Sequence, residues 1–279
     1  MSHGARRLVN QAMSGLTLVS AVLVISPLLL IFGFLLYEGA SAINLDFFVH
    51  LPKPVGEPGG GVANAIVGSM IMIGLAACVG LPIGILGGLY LAESRDAHLP
   101  GIVRFIADVL NGVPSIVFGI FAYTIVVLPM RRFSALAGGL ALGLIMVPIV
   151  LRTTEEMVRL VPNALREAGL GLGLPQWTVM VRVVLPAARA GIITGAIVAV
   201  ARVAGETAPL LFTALGNRFW HQGLDQPMAA LPLQIYAYAI APYDDWHRQA
   251  WAGALVLITL VFVSSLAARL VTRGRTLAR

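Results

Sequence analysis

Two charged residues stand where charge is expensive. Arg202 and Glu206 lie in Ala201-Arg202-Val203-Ala204-Gly205-Glu206-Thr207-Ala208-Pro209, within an apolar run that reads as a helix from about Gly191 to Leu215. On that reading Arg202 is about twelve residues in, roughly 18 Å along the axis and near the middle of a bilayer. An ionisable residue at that depth marks a functional site by default. A spacing of four puts both side chains on one helix face, within pairing reach. Arginine presents a rigid fork of donors that suits a tetrahedral oxyanion. Glu206 can neutralise Arg202 when a passage is empty. It can also accept a hydrogen bond from a protonated oxyanion, a proton that sulfate lacks at neutral pH. Gly205 opens space beside the pair and Pro209 breaks the backbone beyond it. The same spacing also fits an ion pair that only holds two subunits in register.

A second interruption, Asn111-Gly112-Val113-Pro114-Ser115, falls inside another apolar run. Breaks of this kind survive in a membrane when they are buried in protein or line a cavity. This helix is therefore expected to face the centre of a bundle, although a purely structural kink fits the same residues. Other chemistry finds little support. The single lysine, Lys53, is followed by Pro54, so there is no Gly-Lys-Ser/Thr phosphate loop. If this chain works with ATP, another subunit supplies the ATP site. The histidines at 3, 50, 98, 221 and 247 have no metal-ligand spacing, and Cys78 is the only cysteine. No nucleophile–base pair can be assembled without assuming a fold. No enzyme activity, cofactor or metal site is expected.

The elements that must carry these residues are membrane helices. The 279 residues are 58% hydrophobic and 11% charged, with a mean hydropathy of +0.88, which places the chain among polytopic membrane proteins. Six spans are expected, at about 13–37, 64–92, 103–129, 134–151, 191–215 and 251–270, within a membrane domain of 13–271. The first resembles a signal peptide, with Ala40-Ser41-Ala42 after it. Its apolar run is too long for a cleaved leader, so it is read as a retained helix. Pro- and Gly-rich residues from Glu38 to Ala63 read as coil. The second span is crowded with glycine, which favours close helix packing in lipid, and Pro82 is expected to kink it. The segment 216–249 is broken by Pro227, Pro232 and Pro242 and suits an interfacial or re-entrant helix.

An even number of spans puts both termini, tails 1–12 and 272–279, on one side. That side carries Arg6, Arg7, Arg95, Arg104, Arg152, Arg159, Arg166, Arg182, Arg189, Arg269, Arg273, Arg275 and Arg279, against Lys53, Arg131, Arg132, Arg218 and Arg248 on the other. The richer side is expected to be cytoplasmic. The net charge of +6 is thus read as membrane orientation rather than nucleic-acid binding.

Loop 152–190 lies on that same side. It reads as two short helices. In the first, Val161, Ala164, Leu165, Ala168 and Leu172 share a face, with Pro162 at its start. The second is expected to begin at Pro175 and to stop before Pro186. A paired-helix loop between two membrane spans suits presentation to a partner; an amphipathic connector lying on the membrane fits the helix pattern as well.

Within the loop, Glu167-Ala168-Gly169 is followed by Gly173 and, after a gap of nine residues, by Val183-Val184-Leu185-Pro186. This spacing resembles the EAA loop of ABC importer permeases. The resemblance implies that the first loop helix, with Arg166, Glu167, Ala168, Gly169 and Gly173, docks on an ATPase subunit, and that Leu185 and Pro186 belong to the same coupling motif. Gly169 stands where alanine is usual. Each of Gly169 and Gly171 weakens a helix by about 1 kcal/mol relative to alanine. Further stretches narrow the likeness: Arg152-Thr153-Thr154-Glu155-Glu156, Leu160-Val161-Pro162, Asn111 to Ser115, Arg202 to Pro209, and Met228 to Tyr236 with its Leu231-Pro232-Leu233-Gln234-Ile235 core. Together they resemble PstA-type permeases of bacterial phosphate ABC importers, from the first span to the sixth.

That resemblance implies an all-α type I importer permease in the bacterial inner membrane. It implies a PstC-type permease partner, a pair of PstB-type ATPases and a periplasmic phosphate-binding protein. Phosphate is the implied cargo, membrane lipid the surroundings, and nucleic acid no partner. Arg202, Glu206, Thr207, Asn111 and Ser115 are the implied substrate path. Two other readings stay open: a sulfate or molybdate importer with the same loop, and an anion channel or secondary transporter that works without ATP. The latter usually shows inverted repeats, and none is visible here.

Overall fold

The computed structural model describes residues 3–55, 57, 60–94 and 98–274. Residues 1–2 of the expected N-terminal tail, Pro58 and Gly59 of the coil, Arg95, and Arg275 and Arg279 of the expected C-terminal tail lie outside the described residues. Eleven α-helices frame the described chain: α1 His3–Gly39, α2 Leu45–Val49, α3 Ala63–Glu93, α4 His98–Gly112, α5 Ser115–Met130, α6 Ala135–Arg159, α7 Asn163–Gly171, α8 Gln176–Ala204, α9 Ala208–Leu211, α10 Leu231–Ala239 and α11 Asp244–Gly274. Five of them are long and apolar enough to cross a membrane alone, and α4 with α5 makes a sixth crossing if the bent pair is one span.

The centre is the pair α3 and α6. They run in the same direction and in register. A Cβ on Gly80 would meet the Met146 side chain at 2.9 Å, one on Gly84 would meet Val150 Cβ at 2.6 Å, and one on Gly88 would meet the Leu151 carbonyl at 2.5 Å. From the other side, Gly139 receives Leu75. Ala76, Gly80, Gly84 and Gly88 recur every four residues on α3, so the two backbones meet along a strip of small residues. Met72, Leu142, Met146 and Val150 fill the core around it, with Ala199 and Val203 arriving from α8 and Leu210 from α9. α8 runs antiparallel to α6, with Gly191 against Met157 and Gly195 against Thr153.

These contacts define two faces. One, the loop face, carries the ends of α3 and α6 and the whole of α7. The opposite, far face carries the starts of α3 and α6, with α9 and α10. There the Ser134 amide donates to the Thr213 carbonyl at 2.9 Å and the Ala135 amide to the Gln226 carbonyl at 3.1 Å. The tight turn around Arg131 adopts a left-handed φ of 53°, and Arg132 pairs with Asp225 at 2.7 Å. The C-terminal end of α1 also lies at the far face, where Phe34 meets Trp251 edge-on at 5.0 Å. α1 therefore begins, and α11 ends, at the loop face.

Several elements differ from the sequence-based expectation: a short helix, α2, lies in the stretch 38–63 read as coil, and the fourth crossing runs on past 151 to Arg159. The third crossing is two helices at 103° rather than one kinked helix. Pro114 has no amide hydrogen and pushes the residue before it out of the helical region, so the chain turns between Gly112 and Ser115. The fifth crossing starts at Gln176, not Gly191. Pro186 does not end the loop's second helix, because a π-turn at Met180–Val184 precedes it and leaves it in the first turn of the α-helical stretch that follows. The same crossing ends at Ala204, well before Leu215, where Gly205 and then Pro209 stop it. Residues 212–230 follow as irregular chain, and α10 begins with Pro232 in its first turn.

Candidate functional site

The loop region is built from a short helix anchored on one side and bare on the other. Arg166 is the anchor. Its guanidinium pairs with Glu93 at the end of α3 and donates from Nη2 to the Val158 carbonyl of α6 at 2.8 Å. Burial pulls this arginine below the usual arginine range. Gly169 is the contact point. It is the buried residue of α7, and a Cβ added there would lie 2.9 Å from Cγ2 of Val179. Glycine at the position usually held by alanine thus lets α7 lie flat on α8.

α7 ends in a Schellman motif. The Leu174 amide donates to the Gly169 carbonyl at 3.3 Å and the Gly173 amide to the Leu170 carbonyl at 2.9 Å, with Gly173 at φ +80°. Of the residues read onto one apolar face, Ala164, Leu165, Ala168 and Leu172 are exposed, as is Glu167, whereas Val161, just before α7, is buried. Trp177 and Val181 of α8 are also exposed, while Leu170 lines the cleft beside Asn163 and Arg166. A contiguous apolar surface beside exposed charge marks a protein contact site. Leu185 and Pro186 are half-buried in α8, just beyond the π-turn.

Arg202 lies in the last turn of α8 with its side chain exposed. Gly195 is level with Thr153 of α6, so Arg202 is about 10 Å nearer the far face and close to mid-depth of the bundle. No ion pair joins Arg202 and Glu206 among the described residues. The helix ends at Ala204, so the spacing of four no longer brings them onto one face. Tightened bonds replace the helical ones, from the Gly205 amide to the Arg202 carbonyl at 3.3 Å and from the Glu206 amide to the Val203 carbonyl at 3.2 Å. Glu206 and Thr207 are half-buried in the break that follows. Ser115 opens α5, and one turn on, a Cβ on Gly119 would lie 2.6 Å from Cα of Pro209. The two breaks are thus brought side by side, with Asn111 and Ser115 half-buried on one and Glu206 and Thr207 on the other.

One cluster was not singled out from the residues. Glu155, only 1% exposed, accepts from Arg104 Nε at 2.5 Å and Arg152 Nη1 at 2.5 Å, and pairs with Arg159 at 2.9 Å. Arg152 also pairs with Asp108 at 2.9 Å, and Arg104 donates to the Leu91 carbonyl at 3.0 Å. This network ties α4, and so the bend at Pro114, to the ends of α3 and α6. Only its local half had a signal in the sequence, the spacing of three and four that puts Arg152, Glu155 and Arg159 on one face of α6.

Residues 84–276 match the family described as binding-protein-dependent transport system inner membrane component. The chain is 47% identical over 235 residues to the phosphate transport system permease protein PstA of Yersinia pestis, covering 84% of this chain and 80% of that one. It is 46% identical over 266 residues to PstA of Xylella fastidiosa (strain Temecula1), covering 95% and 92%. Among solved structures, an inward-facing MetNI methionine ABC transporter shares the fold with a TM-score of 0.61 at 20% identity, covering 77% of this chain and 94% of that one. A bacterial ABC transporter involved in alginate import does so with a TM-score of 0.58 at 16% identity, covering 97% and 96%. Helical throughout its crossings, and alike to these proteins over most of its length, the chain is a multi-pass inner-membrane protein that belongs to the family of binding-protein-dependent transport permeases, among its PstA members.

Proposed function

We propose that this chain is one half of the membrane passage of an ATP-driven importer of inorganic phosphate. Its partners are a PstC-type permease, a pair of PstB-type ATPases and a periplasmic phosphate-binding protein. The loop face is cytoplasmic, both termini with it, and the bare surface of α7 around Glu167 and Ala168 seats on the ATPase. The chain makes and breaks no bonds in its cargo. Phosphate delivered at the far face passes Arg202, with Glu206, Thr207, Asn111 and Ser115 lining the two adjoining breaks.

The observation that carries this reading is the continuity of α8. It begins at Gln176 beside the coupling helix and runs unbroken for 29 residues to the turn holding Arg202. Such a rod is about 43 Å long. A shift of α7 driven by ATPase closure moves the base of this rod, and the rod carries the displacement to Arg202. The names of the PstA relatives support phosphate as the cargo.

The test is uptake of radiolabelled phosphate at low external phosphate, in cells lacking this chain and complemented with wild type or Arg202→Gln, with sulfate uptake followed in parallel. Restoration by wild type alone, at equal membrane levels and equal ATPase co-purification, is the expected result. Normal uptake by Arg202→Gln refutes the role of Arg202. Restoration of sulfate but not phosphate uptake refutes the cargo.

A further inference from the structure

A cavity of about 380 Å³ opens at the far face between the 215–218 turn, α10 and the start of α11. Arg218 is the only charged group among the described residues that line it. It pairs with no carboxylate among them. Instead its guanidinium sits 5.5 Å from the centroid of the Trp246 ring, and Trp246 stacks on Tyr238 at 4.7 Å with 26° between the planes. Arg218 and Tyr238 each contact the Trp246 ring, and the indole holds the guanidinium in place without neutralising it. Tyr238 is 5% exposed, and its hydroxyl lies beside the Gln234 side chain without the geometry of a full hydrogen bond. A buried hydroxyl left unmatched is costly unless something else completes it. Burial pushes this phenol above its usual range, and the Gln234 side chain, then the Arg218 charge, pull against that rise.

The backbone beneath is set unusually. Leu215 and Gly216 both adopt left-handed φ, 59° and 87°, and for leucine that conformation is strained. A bridge between Leu215 and Met228 holds the turn that presents Arg218. Leu211 of α9 lines the same cavity, so it adjoins the outer end of the segment that starts at Arg202.

We propose that this cavity is an oxyanion-holding site at the far-face mouth of the passage. A tetrahedral anion with a partial water shell accepts from the fork of Arg218, with the hydroxyl of Tyr238 as a further donor. Arg218 is exposed, so the ion reaches it from solvent, against walls that are largely apolar. The ion waits here between release by the binding protein and passage to Arg202. The identity of the ion rests on the phosphate reading above; the site itself does not.

Trp246 supplies the readout. The full chain in nanodiscs is titrated with inorganic phosphate, and separately with sulfate and chloride, while tryptophan emission is followed and the signal of Trp246→Phe is subtracted. A saturable phosphate-dependent change is expected. Its half-saturation rises at least about tenfold in Arg218→Gln, whose charge-assisted contacts are gone, and about threefold in Tyr238→Phe. Arg218→Lys, which keeps the charge, retains part of the response and shows that the fold tolerates change there. The absence of any saturable change with either oxyanion overturns the proposal. So does a response in Arg218→Gln equal to wild type, or an equal response to chloride. A response to sulfate and not phosphate sustains the site and overturns phosphate as the cargo.

Discussion

Replacing Gly169 by alanine sets two effects of similar size against each other. Alanine is a better helix former than glycine by about 1 kcal/mol, so an isolated α7 is stabilised. In the folded chain the new Cβ lies 2.9 Å from Cγ2 and 3.2 Å from Cγ1 of Val179. The closer contact is about 0.6 to 1 Å inside the favourable carbon–carbon separation. Val179 has little room to yield. It is β-branched, in a helix that strongly favours one rotamer, and it is buried among Val158, Val161 and Val184. Overpacking of that kind costs about 1–3 kcal/mol. The clash wins or draws, and α7 relieves it by lifting off α8.

The expected phenotype is therefore a loss of coupling rather than of folding. In the purified importer reconstituted with its ATPase and binding protein, ATP hydrolysis stimulated by the loaded binding protein falls severalfold in Gly169→Ala, while the melting temperature shifts by a few degrees at most. Truncating Val179 to alanine removes both clashing methyls, so the Gly169→Ala/Val179→Ala double variant recovers stimulation beyond either single one. That coupling between the two sites amounts to about 1 kcal/mol or more. A Gly169→Ala importer as well coupled as wild type, or a double variant no better than the sum of the singles, refutes the packing account of this glycine.

Four further outcomes follow from the same geometry. Gly173→Ala strains the left-handed end of α7 by about 1 kcal/mol and is read as faster amide exchange confined to residues 169–174. Glu155→Gln leaves three arginines without their buried counter-charge and lowers stability by about 3–5 kcal/mol in thermal unfolding, whereas Glu156→Gln, at an exposed position, changes it by less than about 0.5 kcal/mol. Gly84→Ala forces apart α3 and α6 at a cost of about 1–3 kcal/mol, while Gly74→Ala, with nothing within 4 Å of its added Cβ, is neutral or stabilising in the same measurement. A stability cycle on Arg202→Gln and Glu206→Gln gives a coupling below about 0.5 kcal/mol, and a value above 1 kcal/mol restores the paired reading.

What could be read in advance was set by local chemistry. Apolar length alone announced long helices, although it misplaced both ends of the fifth, and the Gly112–Pro114 pair announced a bend, although not its size. What could not be read depended on partners far away in sequence. Glu155 meets Arg104 across a separation of 51 residues, and no local pattern announces that meeting. The apolar face of α7 was legible, but the side that packs on the bundle was not: it is held by the absence of a side chain at Gly169 and by a salt bridge from Arg166 to Glu93, and Ala164, Leu165, Ala168 and Leu172 are left exposed. Pro186 read as a stop because proline usually is one. The π-turn before it removes the objection, and no residue type signals a π-turn.

The end of α8 shows why that distinction matters for function. Arginine four residues before glutamate reads as a neutralised pair, which binds an anion poorly because the carboxylate already occupies the fork. Gly205 ends the helix between them, and the two residues part company. Arg202 then sits among the terminal carbonyls of α8, whose partial negative charge favours a cation in the last turn. Those dipoles ease the burden of a charge at mid-depth without filling its hydrogen-bonding fork, as a carboxylate would. Glu206 sits half-buried in the break and remains able to meet a protonated ion from another side. An arginine stabilised by helix-end dipoles and left exposed is a better host for a passing anion than one locked in an ion pair. Gly205 separates the two arrangements by ending the helix.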